Sequence, residues 1–297
     1  MSRPHRSIFT AATSSERDRN FEDYLAFTLR QDGDLLVAEK DLATKRARLE
    51  EFRAHPVRAR RPLADPERFY RNAVAWQDDP ASADRKTLLL TCLYKVARHE
   101  WIGISAAWDF CANLSGPPTI IDTISRYHLA EEFCHMRLFE EMFRTFHLDR
   151  VVWAPLGPVM QGLYRLFPYI PEGVRDPPAF VSELLGLTIY RHVDGMLDEI
   201  LSDEPEARAR VRELLREIMV DELAHVGQRR NFLGPVATRV ARAIVPAFFR
   251  AFLRDVPESR LLFDVPRMVE DGLGFDYTRL PPEVLERSWV PSYCRVG

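Results

Sequence analysis

Polar and apolar positions divide the chain into three stretches of different texture. Residues 1–85 are polar and charged, with a helical pattern over Phe21–Leu49 and a basic, proline-containing link at 55–66. They read as an N-terminal helical arm packed outside a core, and no chemistry is assigned to them. From Asp84 the texture changes. Leu88 to Phe110 is apolar nearly all round, as in a helix buried on several sides, with Glu100 isolated in its middle. The pattern stops at Leu114-Ser115-Gly116-Pro117-Pro118. Thr119 and Asp122 then make a capping-box pattern, opening a second helix that runs to about His147. A proline-rich link follows. Asp176-Pro177 reads as an N-cap and first-turn pair for a third helix through Ile200, and Ser202-Asp203-Glu204-Pro205 breaks the chain before a fourth that ends at Gly234-Pro235. The order helix–short turn–helix–long link–helix–short turn–helix predicts an all-α bundle over 86–233. Residues 234–297 hold an Arg-bearing amphipathic helix near Val236–Leu253 and an irregular tail, and the three stretches are expected to form one structural domain.

Within this frame one motif occurs twice, as Glu131-Glu132-Phe133-Cys134-His135 and Asp221-Glu222-Leu223-Ala224-His225. Each is an acid followed by Glu-x-x-His. Positions i and i+3 share a helix face, so each motif aims one carboxylate and one imidazole at the same point. The leading acids, Glu131 and Asp221, are placed to accept from metal-bound imidazoles.

Antiparallel neighbours allow a geometric test, because residues equidistant from a turn lie at one height. The midpoint of Glu100 and Glu132 is Gly116, inside the first turn; the mirror of Glu222 about Ser202-Asp203 is Glu183. The rival acids fail: Asp109 with Glu132 puts the turn past Pro118, and Asp194 with Glu222 puts it inside the last helix. Six side chains therefore converge as candidate catalytic and metal-ligating residues: Glu100, Glu132, His135, Glu183, Glu222 and His225. Burying four carboxylates together without positive charge would cost several kcal/mol for each ion. A pair of divalent cations removes that cost. Oxygen-rich ligation with one imidazole per metal suits iron, with manganese as the alternative.

His128, one turn before Glu132, is a candidate seventh ligand, with a core or pocket histidine as the other reading. His192 and His99 are read as non-ligands. Gly103 and Gly186 stand three residues after their Glu, where the other two helices carry His. They leave room either for the opposed imidazoles or for O2 and substrate. Tyr190, two turns from Glu183 on the same face, reads as a core tyrosine with a redox or pocket residue as the alternative, and Cys134 as a small buried hydrophobe. The stripe Arg239, Arg242, Arg250 and Arg254 reads as a solvated helix face, with an anionic carrier or partner subunit as the alternative.

Bulk composition adds exclusions. Net charge is −3, so nothing global points to nucleic acid or anionic lipid. Cys92, Cys111, Cys134 and Cys294 form no C-x-x-C pair. The start lacks an apolar signal core and no run reaches the ~18 apolar residues of a membrane span, so a cytoplasmic protein without a membrane span is expected. No G-x-G-x-x-G fingerprint is present, so electrons must come from an external donor.

In helix order, long middle link and ligand types, residues 86–233 resemble the ferritin-like di-iron carboxylate superfamily. EEFCH and DELAH look like the (D/E)ExxH signatures of bacterial multicomponent monooxygenases and acyl-carrier-protein desaturases, and the length and single-chain form are similar to the p-aminobenzoate N-oxygenase type. The chain departs from that last type at Ile218, where those enzymes carry a third His; an H-x3-E-x2-H pattern occurs instead at His128. The resemblance implies a non-haem di-iron enzyme using O2 to hydroxylate, N-oxygenate or desaturate a small organic substrate. The alternatives are a manganese catalase-like or ligand-binding oxidase and non-enzymatic, ferritin-type metal handling. The oligomeric state stays open, a homodimer included.

Overall fold

The computed structural model describes residues 7–112 and 118–295, and among these the protein is almost wholly helical. The chain runs α1 (Ser14–Asp32), β1 (Leu35–Leu36), β2 (Asp41–Leu42), α2 (Ala43–Ala54), α3 (Pro66–Asn72), α4 (Arg85–Ala112), α5 (Ile120–Thr145), α6 (Pro158–Leu166), α7 (Glu172–Ile200), α8 (Pro205–Phe232), α9 (Pro235–Asp255), α10 (Ser259–Leu262), α11 (Val265–Leu273) and α12 (Pro282–Arg287). No helix among the described residues is long and apolar enough to cross a membrane.

Local chemistry sets the main boundaries. The expected Thr119–Asp122 capping box is present at the start of α5. Pro205 opens α8, where its missing N–H costs nothing. The turn expected at Leu114–Pro118 lies, Pro118 aside, outside the described residues.

Three expectations change. The single helical stretch over Phe21–Leu49 is two helices, because Gly33 takes φ +71°, a conformation that favours glycine, and turns the chain into the β1–β2 hairpin. The third bundle helix starts at Glu172, not at Asp176-Pro177, which lie inside α7. Pro177 and Pro178 deprive the carbonyls of Gly173 and Val174 of donors, but both residues are exposed, so water can serve them. The proline-rich link contains α6, and the tail, read as irregular, contains the short helices α10 to α12.

Helix α4 packs on α5, α5 on α8, α8 on α7, and α7 on α4, closing a ring of four helices; α1 and α2 lie against α5, α9 and α11 against α7. Helix α8 is the most enclosed, and Glu217 to Gln228 is buried without a break. Ile218 is fully buried in the apolar core. A side chain of that size contributes roughly 1.5–3 kcal/mol by leaving water. Into the same enclosed segment the sequence puts Asp221, Glu222 and His225.

Candidate metal centre

All six expected side chains point into the space between α4, α5, α7 and α8, and His128 joins them. They form two groups, each offering four ligand atoms within 4.8 Å of one another: Glu100, Glu132, His135 and Glu222, and His128, Glu132, Glu183 and His225. Either could hold a metal ion, and Glu132 belongs to both. Nδ1 of His135 lies 3.3 Å from Glu132 and 3.4 Å from Glu222, and Nδ1 of His225 lies 2.9 Å from Glu132. Nε2 of His128 lies 3.5 Å from Glu132 and 3.4 Å from Glu183, with its ring stacked 3.8 Å from that of His225. His128 therefore stands with the candidate ligands.

The outer nitrogen of each imidazole meets the leading acid of the other motif. His135 Nε2, on α5, is 3.1 Å from Asp221 on α8; His225 Nε2, on α8, is 2.7 Å from Glu131 on α5. A donor bond at Nε2 fixes the tautomer that turns a bare Nδ1 inward. The acids are themselves held from the N-terminal helices. Lys45 on α2 forms an ion pair with Asp221 and lies 3.3 Å from Asp32 on α1. Burial, together with the Glu131 charge, pushes Asp32 up to about 9, so it keeps a proton to share with Glu131. Residues 1–85, read as an arm without chemistry, thus supply the groups that hold Asp221 and Glu131 in place. Tyr190, read as core, is fully buried, yet its hydroxyl donates to Glu100 Oε1.

Several inward atoms have no aligned hydrogen-bond partner: Glu100 Oε2, Glu132 Oε2, His135 Nδ1 and His225 Nδ1. Buried polar atoms left in this state cost about 1–3 kcal/mol each, and one cation in each ligand group would satisfy all four. Protons act as the substitute. Burial and the neighbouring Glu132 and Glu222 charges raise Glu100 well above the carboxylate range, and burial with Glu132 pushes Glu222 up to about 7. Burial opposes charge on the imidazoles too, but the facing carboxylates hold His135 and His225 well above their ordinary range. Without cations, the cluster balances its charge with hydrogen ions.

Above the centre lies a cavity of about 200 Å³. Glu100, Glu132, Glu183, Glu222 and His128 reach its floor; Ile104, Leu185, Ile189, Phe248 and Phe252 give apolar walls. Gly103 and Gly186 both line it. A Cβ at Gly103 would make ordinary contact with Tyr164 at 3.4 Å, and one at Gly186 with Glu222 at 3.5 Å, so the atoms facing these glycines are not the opposed imidazoles. Tyr164 and Phe167, from α6 and the turn after it, line its outer side. His99 belongs to neither ligand group. Its Nε2 donates to Asp255 at 3.0 Å, and its Nδ1, 3.1 Å from the Tyr164 hydroxyl, accepts there. His192 is held by Asp271 at 2.9 Å, away from the centre. Cys134 is buried and donates to Asp41 at 3.2 Å. Arg229, unremarked in the sequence, lies 3.4 Å from Glu183 beside the cavity. Its signal was available: it is one turn beyond His225 on the same helix face.

Comparison with protein-family models, with curated proteins and with solved structures finds no match for this chain.

Proposed function

We propose that the chain is a ferritin-like di-metal carboxylate enzyme that uses O2 to oxidise a small organic molecule held in the cavity. One observation carries the reading: two four-atom ligand groups share Glu132 at the floor of a half-open, mostly apolar cavity. The donor set is hard and rich in oxygen, which favours iron and leaves manganese as the alternative. Glu100, Glu132, His135 and Glu222 would hold one ion; His128, Glu132, Glu183 and His225 the other. When bound, such a pair would pass on electrons from an external donor and supply the Lewis acidity for O2 reduction.

The chain's own residues do the rest. Asp221 and Glu131 keep the imidazole Nε2 protons occupied, so Nδ1 stays free as a donor atom. The Tyr190 hydroxyl takes Glu100 Oε1 and leaves Oε2 facing inward. Apolar walls exclude water, and Gly103 and Gly186 leave room for a substrate carbon or nitrogen near the floor. For a hydroxylation the balance is one C–H bond, O2, two electrons and two protons giving C–OH and water, with the electrons coming from an external donor. An acid-lined channel would suit ferritin-type metal handling; the apolar walls favour the enzyme.

Anaerobic ferrous titration followed by rapid mixing with O2 tests this. The expected result is about two ions per chain, a transient visible absorption on oxygenation, and a decay that candidate substrates accelerate. Iron taken up well beyond that ratio would point to metal handling, and a chain that binds none would end the proposal.

A further inference from the structure

The net charge of −3 conceals two acid-free stretches of chain, bounded by the exposed acids Asp149, Glu172 and Asp255. Between Arg150 and Pro171, a segment that contains α6, the sequence has no Asp or Glu, and the same holds from Pro235 to Arg254, which is α9 short of its last residue. Both segments border the cavity: Tyr164, Phe167 and Pro168 on one side, Phe248 and Phe252 on the other. The ring of His99 ties them, being 6.1 Å from that of Tyr164 and 4.9 Å from that of Phe252.

Helix α6 is apolar on both sides. Tyr164 turns toward the cavity, while Val159, Leu163 and Leu166, at i, i+4 and i+7, form an outward stripe that is 76%, 56% and 64% exposed, extended by Tyr169 at 68%. On α9 the outward positions are small and apolar, Val236, Val240, Ala243, Ala247 and Ala251, all exposed. Arg239, Arg242, Arg250 and Arg254 run along one edge of them. Among the described residues no carboxylate lies within 4 Å of any of these four, and the Arg242 guanidinium lies over the Phe9 ring at 5.7 Å.

We infer that this face docks on an anionic membrane surface, with α6 in the headgroup layer and the α9 arginines on lipid phosphates. The pairing of features selects the occupant. A second copy meeting this face across a two-fold axis would set arginines against arginines, with no acid in either segment to receive them. An acidic carrier protein would satisfy the arginines but leave the apolar stripe and Tyr169 without a partner. Anionic lipid satisfies both, since apolar side chains enter the headgroup–acyl boundary while basic ones stay at its polar edge. The docking does not depend on the metals. Its consequence, that an amphiphilic substrate enters the cavity directly from the lipid phase between α6 and α9, rests on the oxygenase reading.

The test is flotation of the full-length protein with vesicles of neutral phosphatidylcholine, alone or with roughly 30 mol % phosphatidylglycerol. The protein should float with the anionic vesicles only. Raising salt from about 0.05 to 0.5 M should weaken the association. Leu163→Asp with Leu166→Asp, and separately Arg239→Glu with Arg250→Glu, should each reduce it by about ten-fold or more, and the arginine pair should also flatten the salt dependence. Both variants should keep wild-type helicity and ferrous stoichiometry, which separates a docking defect from misfolding and from failure of the metal reading. No flotation of the wild type, equal flotation with neutral vesicles, or variants that float like the wild type would overturn the proposal. So would a dimer that Leu163→Asp dissociates, or a stable complex with an acidic carrier protein at this face.

Discussion

Around Glu100 three carboxylates meet a single imidazole, while around Glu183 two carboxylates meet two imidazoles, and Glu132 is counted in both sets. The first set also packs against Tyr190, and the second lies beside Arg229. So the first position concentrates more negative charge, and the second is moderated by a second imidazole and a nearby guanidinium. Proton affinities record the same asymmetry. Burial and Glu132 push Glu222, in the first set, up to about 7, whereas His128 holds Glu183, in the second, below the usual range despite its burial. Two positions built from one repeated motif are therefore expected to fill unequally, with the Glu100 position taking the first cation.

Removing the shared residue gives the largest effect. Glu132→Ala should weaken both positions by about a thousand-fold, on the order of 4 kcal/mol, and anaerobic ferrous titration should find no tight binding. Glu100→Ala and His128→Ala come next and separate the two sets: each should lose one equivalent and keep the other. If both lose the same equivalent, the two positions are one. A third measurement is thermal stability of the metal-free protein against pH. A carboxyl raised by folding stabilises most below its unfolded value of 4.5, and that contribution fades as pH climbs to about 7. For Glu222 this is roughly 3 kcal/mol, and bound metal should abolish the dependence. The smallest effects belong to the outer acids. Asp221→Asn and Glu131→Gln should each weaken binding by about 10–100-fold, Asp221→Asn at the His135 position and Glu131→Gln at the His225 position.

Much of the centre could be read from spacing. Glu-x-x-His repeats need only helical periodicity to place a carboxylate and an imidazole together, and mirror positions about two turns selected Glu100 and Glu183 over Asp109 and Asp194. His128 was left open because one turn of helix does not say which way a ring leans; its neighbours Glu183 and His225 decide that. Lys45 and Asp32 could not be found. Each lies far along the chain from the motifs, on helices whose sequence reads as an ordinary charged surface, and only the docking of α1 and α2 on the ring brings them to Asp221 and Glu131. The lack of acids in α6 and in α9 short of Asp255 was legible, but not that both border one cavity.

Each imidazole of the repeated motif is steadied by an acid on the opposite helix, and this has a consequence for how the protein can vary. Neither half of the pair is self-sufficient, so α5 and α8 behave as a mortise and tenon. An insertion of one residue near either motif would rotate one acid off its distant histidine by about 100° and spoil the coordination on both sides at once. A descendant of this chain could exchange nearly any cavity wall and acquire new chemistry, while the register between those two helices stayed fixed.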